Sequence, residues 1–395
     1  MIRVEVAETG QTQCVLAPEQ GRLLAASGIV TAVPSPYDAA VWDISPRGGV
    51  GVARIGDVEV WVTPKLAIDR LLFLVGYAKS PKGWREETVG LDPQKDLVPA
   101  VAQALWRQAE NALRQGLLQG YRTYEESSYV LRGRLRETDQ IRRHHGRVIP
   151  MEIRHDDFTV DIPENQILLA AVSRMLTVPR LDAESRRRLT ALRARLADVT
   201  TPVRGAVLPA WRPNRLNQRY HTALRLSEVV LQATSPEHSP GSVPANGFLF
   251  DLPKIFEDFV TVAVSEELTS RYGGAAHPQY PCHLDEALAV RMKPDLVWMR
   301  RGEPAAVVDA KYKREKQAGY PDADLYQMLA YCTALRLPRG HLVYAKGNAD
   351  AARHVVRHTG VEIVCHALDL TRPSDVILSH IRHIVTDMAG SQRAA

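Results

Sequence analysis

The sequence is poor in cysteine: its four residues, Cys14, Cys282, Cys332 and Cys365, are widely scattered and form no short paired spacing. That excludes a disulfide-stapled secreted domain and a zinc finger, and the four read as reduced, mostly structural thiols. Long hydrophobic runs are also missing. The longest, about Leu71 to Tyr77, is far short of the roughly 20 residues that cross a bilayer, so no membrane-spanning segment is expected. The N-terminus, MIRVEVAETG, has no basic region followed by an apolar core and a cleavage site; a cytoplasmic location is expected. No internal repeat is visible, and no G-x-x-x-x-G-K-[ST] loop occurs, so this chain is not expected to bind a nucleotide itself. Ser and Cys nucleophiles have no visible partners. His144 and His145 are adjacent, an arrangement that rarely converges on one ion, and read as part of a basic loop. His354, His358 and His366 read as solvent or core residues.

What is present is an ordinary globular composition, 45% hydrophobic and 24% charged, which argues against disorder. At 395 residues the chain exceeds one growing core, so two or three domains are expected. The net charge of +5 is modest, but basic residues cluster at Arg132, Arg134, Arg136, Arg142, Arg143 and Arg147. Such a cluster either neutralises phosphates or forms a solvated face.

Residues 1–96 hold short β-type runs between Gly and Pro turns, at Ile2–Val6, Gly51–Arg54 and Val58–Val62, and read as a β-rich domain. Apolar residues at helical spacing predict a long helix from Leu97 to about Gly120. It opens a mixed helical and basic middle region, 97–233, with further helices at Asn165–Leu176, Ala183–Leu196 and Tyr220–Gln232. The stretch 234–247, TSPEHSPGSVPANG, reads as a loop or junction. From 248 to 388 the pattern becomes α/β, with a helix over about Pro253–Tyr272, strands over Leu288–Met299 and Ala305–Lys313, and a helix opened by Asp322. Strands at His341–Ala345 and Val361–Leu368 and a helix from Ser374 to about Met388 complete it. Residues 389–395 read as a disordered tail.

The segment that carries chemistry is MKPDLVWMRRGEPAAVVDAKYK, residues 292 to 313. Pro294-Asp295 is followed after thirteen residues by Asp309-Ala310-Lys311. Alternation along a strand puts Asp309 and Lys311 on one face and Ala310 and Tyr312 on the other. Hydrolysis of a phosphodiester needs a cation to activate water and offset developing charge, and hard oxygen ligands suit Mg²⁺. Asp295 and Asp309, brought together by a hairpin, are candidate ligands for one or two such ions, with the Ala310 carbonyl a third. Lys311 is the candidate base or electrostatic stabiliser. An apolar strand ending in Asp and Lys is an unusual mount for mere surface charge.

Two features accompany it. Gln327 and Tyr331 stand at i and i+4 on one helical face, and Glu257, between Phe256 and Phe259, can face the sheet as a direct or water-mediated metal ligand. Asp258 is turned away by about 100° of helical rotation. Gln327 is read as orienting Lys311 or a substrate phosphate, and Tyr331 as supporting the helix face or contacting DNA.

This set, Glu257, Asp295, Asp309-Ala310-Lys311 and Gln327-x-x-x-Tyr331, resembles the PD-(D/E)xK nuclease superfamily, and in particular the McrC family of nuclease subunits from McrBC-type, modification-dependent restriction systems. LRGRLRETDQ (131–140), FTVDIPENQILLAAV (158–172), RYHTALRLSEVVL (219–231), FLFDLPKIFEDFV (248–260) and VWVTPKLAIDRLLFLVGY (60–77) are similar to it as well. The resemblance implies an α+β multidomain chain: a β-rich partner-binding domain and a C-terminal restriction-endonuclease-like domain with a central mixed sheet. It also implies a Mg²⁺-dependent DNA endonuclease acting on modified duplex, and association with a hexameric McrB-like AAA+ GTPase whose hydrolysis it stimulates. Two alternatives stay open: a non-catalytic adaptor of a AAA+ ring, and a stand-alone DNA repair nuclease similar to RecB.

Overall fold

The computed structural model describes residues 1–79, 81, 97–145, 147–179, 181–203, 207–233, 245–312, 322–345 and 352–390. Secondary structure is mixed, α+β, and the chain divides into two compact units, residues 1–100 with 232–395, and residues 101–231. Among the described residues no helix is long and apolar enough to cross a membrane.

The first unit opens with β1 (Ile2–Ala7), β2 (Thr12–Val15), α1 (Pro18–Ala26), β3 (Val30–Pro34), β4 (Val41–Pro46), β5 (Gly49–Ile55), β6 (Val58–Thr63) and α2 (Ile68–Lys79). One sheet is ordered β2-β4-β3; in another, β1 lies parallel to β6, which pairs antiparallel with β5. α3 (Leu97–Leu113) takes the chain into the second unit. The helix stops well before the predicted Gly120. Gly116 adopts φ +87°, a left-handed conformation that costs glycine little and ends helices, so Leu117 lies outside it.

The second unit holds β7 (Gly120–Ser128), β8 (Arg134–Leu135), α4 (Glu137–His144) and β9 (Met151–Thr159), then α5 (Pro163–Leu176), α6 (Ala183–Arg195) and α7 (His221–Gln232). Its sheet is ordered β7-β9-β8. Much of the basic cluster is paired internally. Arg132 meets Asp157, Arg136 meets Glu125 at 3.0 Å, and Arg143 meets Glu152 at 3.1 Å. Arg134, Arg142 and Arg147 are exposed. His144 ends α4 with Nε2 3.0 Å from Glu152 Oε1, a structural place rather than a loop. Ser128 pairs with Met151, so Tyr129, Val130 and Leu131 leave the sheet at the end where Val148 and Ile149 enter it; all five are exposed.

The chain returns to the first unit in β10 (Ala245–Asp251), followed by α8 (Leu252–Tyr272), β11 (Ala275–Pro278), β12 (Cys282–His283), β13 (Arg291–Met292), β14 (Leu296–Arg300), β15 (Glu303–Lys311), α9 (Asp322–Leu335), β16 (Arg339–Ala345), β17 (Ala352–Val355), β18 (Glu362–Leu368) and α10 (Ser374–Gly390). The expected junction is corrected at its end: Ala245, Asn246 and Gly247 belong to β10, which pairs antiparallel with β5 along its whole length. Residues 234–244 lie outside the described residues, as do Lys313 and residues 391–395. Ala389 and Gly390 close α10 rather than beginning a tail. The N-terminal β region and the C-terminal α/β region, read from sequence as separate domains, share one compact unit. Close approach of β10 depends on Gly51, at φ +132°, where a Cβ would collide with the Phe248 carbonyl.

A six-stranded mixed sheet, β11-β14-β15-β16-β18-β17, forms the centre of the C-terminal part. β15 runs parallel to β16, and β16 to β18; the other pairs are antiparallel. The single predicted strand Leu288–Met299 is two shorter ones, β13 and β14. Leu288 has φ +57°, and Pro294, with no amide hydrogen to donate, falls between them. β14 and β15 are joined by Arg301 and Gly302, both at positive φ (+55° and +87°), the geometry of a type I′ hairpin turn. On one face α9 packs Met328, Tyr331 and Cys332 with Val307, Leu342 and Tyr344. α8 and α10 lie on the other. Phe256 and Phe259 of α8 are fully buried, each contributing about 1.5–3 kcal/mol of apolar burial. Phe259 also meets Phe73 and Tyr77 of α2, with ring centroids 5.5 and 5.4 Å away.

Candidate active site

The β14–β15 hairpin brings the two aspartates together. Leu296 pairs with Val308, which sets Asp295, just before β14, beside Asp309 on β15. Asp295 Oδ2 accepts a hydrogen bond from the Ala310 amide at 2.8 Å, fixing the carboxylate across the strand that carries Asp309. Lys311, two residues on and on the same face, forms an ion pair with Asp309 Oδ2. Tyr312 points the other way: its ring lies 5.8 Å from that of Phe256, and its hydroxyl donates to Glu8 Oε1 at 2.7 Å. The end of β15 is thereby tied to the segment following β1.

Glu257 enters from α8. The N-terminus of that helix is set by β10 and by Asp251, whose Oδ1 accepts the Lys254 amide at 3.1 Å, a side-chain N-cap. Asp258 turns to solvent and pairs with Lys254 at 3.3 Å. Between Glu257 and Asp295 stands a residue that the sequence did not single out, Gln279. Its Nε2 lies 2.6 Å from Glu257 Oε1 and 3.0 Å from Asp295 Oδ1, and its backbone amide donates to the Asp295 carbonyl at 2.8 Å. Gln279 has φ +49°, an uncommon conformation for a non-glycine residue. No motif spacing signals it, because its role comes from the turn after β11. A cleft of about 240 Å³ opens here, lined by Glu257, Gln279, Thr261 and Val75 among others.

Gln327 is exposed and Tyr331 buried on α9. The two are joined directly, Gln327 Nε2 donating to the Tyr331 hydroxyl at 2.8 Å. Burial, and next the charge of Asp309, push the Tyr331 hydroxyl pKa upward, so the phenol stays protonated beside the aspartates. Asp324 was also missed. It is buried one turn before Met328, accepts a hydrogen bond from the Tyr344 hydroxyl at 3.1 Å, and adds its charge to the field at Lys311.

The electrostatics are those of a site crowded with negative charge. Burial, then the neighbouring Glu257, raises the Asp295 pKa to about 6, against the opposing Ala310 hydrogen bond and Lys311 charge. Burial, then the Asp295 charge, raises Asp309 to about 6 as well. For Lys311 burial works downward, but Asp309, Asp295 and Asp324 together outweigh it and hold the amine above its usual pKa. One ammonium faces several carboxylates. Asp309 Oδ2 is buried and, apart from the Lys311 ion pair, makes no hydrogen bond of good geometry. Two adjacent buried carboxylates, one of them joined through Gln279 to Glu257, suit an oxygen-ligated divalent cation.

Residues 44–345 match the model of a family described as McrBC 5-methylcytosine restriction system component. No curated protein matches the chain. Among solved structures, a chain from the Thermococcus gammatolerans assembly of McrB AAA+ hexamers with bound McrC is similar at TM-score 0.59 and 16% identity, covering 98% of this chain and 100% of that one. A chain of the Thermococcus gammatolerans McrBC complex is similar at TM-score 0.38 and 16% identity, covering 67% of this chain and 88% of that one. The first of these likenesses is one of fold. With the family model covering most of its length, the chain belongs to the McrBC 5-methylcytosine restriction system component family.

Proposed function

We propose that this chain is the McrC-type nuclease subunit of its restriction complex: a Mg²⁺-dependent endonuclease with a PD-(D/E)xK site that cuts DNA in partnership with a McrB-like AAA+ GTPase. The observation that carries the reading is the pair Asp295 and Asp309, set side by side by the β14–β15 hairpin with Lys311 as the balancing ammonium and with Glu257 joined to Asp295 through Gln279. Asp295 and Asp309 would hold the ion, with the Ala310 carbonyl as a further oxygen and Glu257 direct or through water. Bound there, Mg²⁺ supplies Lewis-acid polarisation of the phosphate and a lowered pKa for the attacking water.

The chain's own groups do the rest. Lys311, held protonated, acts as a cation that stabilises charge developing on the phosphate oxygens rather than as a neutral base. Gln279 clamps Glu257 and Asp295 against their mutual repulsion. Tyr331, fixed by Gln327, keeps a neutral hydroxyl facing the carboxylates. Partnership with a AAA+ ring is supported by family membership and by the assembly in which the similar fold is found. The exposed apolar group Tyr129, Val130, Leu131, Val148 and Ile149 in the second unit supports it too, since such patches mark protein contacts.

The test is cleavage of 5-methylcytosine-containing duplex by the full chain with its AAA+ partner and GTP. Cutting is expected with Mg²⁺ and none with excess chelator. Intact DNA at every Mg²⁺ concentration, with the partner's GTP hydrolysis still stimulated, would make the chain an adaptor. Full cutting without the partner would make it a stand-alone nuclease. A finer expectation concerns Gln279→Leu: loss of the clamp should raise the Mg²⁺ concentration for half-maximal cutting about 10–100-fold while leaving the rate at saturating Mg²⁺ near wild type. An unchanged Mg²⁺ dependence would remove Gln279 from the site.

A further inference from the structure

The face of the central sheet opposite the aspartates holds a second cluster of ligand-type side chains. Val308 pairs with His341, and Val343 with His366, so both histidines project away from the Asp309 face, toward the side where α10 packs. His341 is 1% exposed and His366 7%. Their rings are nearly parallel, 14° apart with centroids at 5.4 Å, and His341 Nδ1 lies 3.1 Å from His366 Nε2. Asp387 reaches over from α10, and one ligand atom from each of the three side chains lies within 4.8 Å of the others.

This is an N₂O donor set whose two imidazole nitrogens face each other head-on, since the 5.4 Å between ring centroids is the 3.1 Å contact plus one ring radius on each side. At Zn–N distances of about 2.0–2.1 Å, two ligands of a tetrahedral ion stand about 3.3 Å apart, so the nitrogens can stay near their 3.1 Å separation while each ring turns by roughly 40° to aim its lone pair at a shared ion. Both imidazoles are held in the neutral, ligating form. Burial, then the neighbouring His366, keeps His341 well below the usual histidine range; burial, partly offset by Asp387, brings His366 down to about 4. Arg353 of β17 binds both Asp387 oxygens at 3.0 Å and also meets Glu362 at 3.1 Å. A carboxylate has about four lone-pair sites, so Arg353 orients Asp387 without exhausting it.

We propose that His341, His366 and Asp387 form a transition-metal site, distinct from the aspartate site, that takes a Zn²⁺-class ion and fastens α10 to β16 and β18. Water supplies the fourth ligand from the partly exposed Asp387 side. On binding, the ring that donates its N–H across the 3.1 Å gap moves that proton to its other nitrogen. The tautomer changes and no net proton is released. Imidazole donors favour Zn²⁺, Co²⁺ or Ni²⁺, whereas Mg²⁺ prefers all-oxygen sites, so the two sites select different ions.

The full chain, stripped by chelator and dialysed against Zn²⁺ in excess Mg²⁺, is expected to retain about one Zn²⁺ and to gain about 5 °C in Tm. Co²⁺ in its place should give a visible d–d absorption band. His366→Ala should lose the ion and the band. Because a buried histidine variant can fail to fold, Asp387→Asn is the second test and should also lose them. Arg353→Ala, which frees Asp387, and Asp309→Asn, on the other face, should both keep them. Failure of the wild type to retain Zn²⁺ against Mg²⁺ overturns the proposal and leaves a hydrogen-bonded histidine pair. So does Zn²⁺ that survives Asp387→Asn or disappears with Asp309→Asn.

Discussion

Asp309→Ala is expected to reduce DNA cleavage at least ~10³-fold while the partner's GTP hydrolysis remains stimulated. Asp309 is the most buried of the site's carboxylates, at 2% exposure, and its Oδ2 is paired with Lys311. Removing it takes away a ligand that no neighbour can replace, since Asp295 is already assigned to the ion and Glu257 is held in place by Gln279. Lys311→Ala should cost about 10²–10³-fold, because charge stabilisation is lost while the carboxylates remain. The two variants should differ in kind. Asp309→Ala should not be rescued by more Mg²⁺, whereas Lys311→Ala should bind Mg²⁺ at least as tightly as wild type, having lost a competing cation. Gel cleavage assays across Mg²⁺ concentrations, paired with phosphate release by the partner, check both. Near-wild-type cutting by either variant would sink the assignment of this site.

Much of this site was legible in the sequence because its core is local. An apolar strand ending in Asp-x-Lys, preceded by a turn and Pro-Asp, defines a hairpin, and the strand period of two then decides which side chains converge. Helix periodicity likewise placed Glu257 toward the sheet and Asp258 away from it. The parts that were not legible are non-local. Gln279 acts from a turn, through a backbone conformation that no residue pattern announces. Asp324 precedes Gln327 by three residues but gains its meaning from Tyr344 and Lys311 on other elements. The pairing of β10 with β5 joins residues nearly two hundred positions apart, so the N-terminal strands and the C-terminal sheet read as separate domains. His366 read as a solvent or core residue because its encounter with His341 depends on the β16–β18 register.

The raised carboxylate pKa values lead to the second large effect, in which stability and activity move in opposite directions. Asp295 and Asp309 hold protons up to about pH 6 in the folded chain, whereas an unfolded aspartate releases its proton near 3.9. Between about pH 4 and 6 the folded state therefore binds more protons than the unfolded one, and stability without metal falls as pH rises through that window. Above it the fold carries the full cost of ionising buried carboxylates. Asp295→Asn keeps an oxygen for the Ala310 amide but turns its NH₂ toward Gln279 Nε2. It should still relieve part of that cost, a gain on the order of 2 kcal/mol at pH 8 less the lost Gln279 bond, seen as a higher Tm and shrinking as the pH falls toward 4. Cleavage by this variant should fall about 10²-fold or more. In the wild type, cutting should rise with pH through about 6 as the ligands deprotonate, and the midpoint should move to lower pH as Mg²⁺ is increased, because the cation competes with protons for the same oxygens. A midpoint indifferent to Mg²⁺, or an Asp295→Asn chain less stable than wild type at pH 8, would mean that these carboxylates are satisfied as they stand and have no need of a cation.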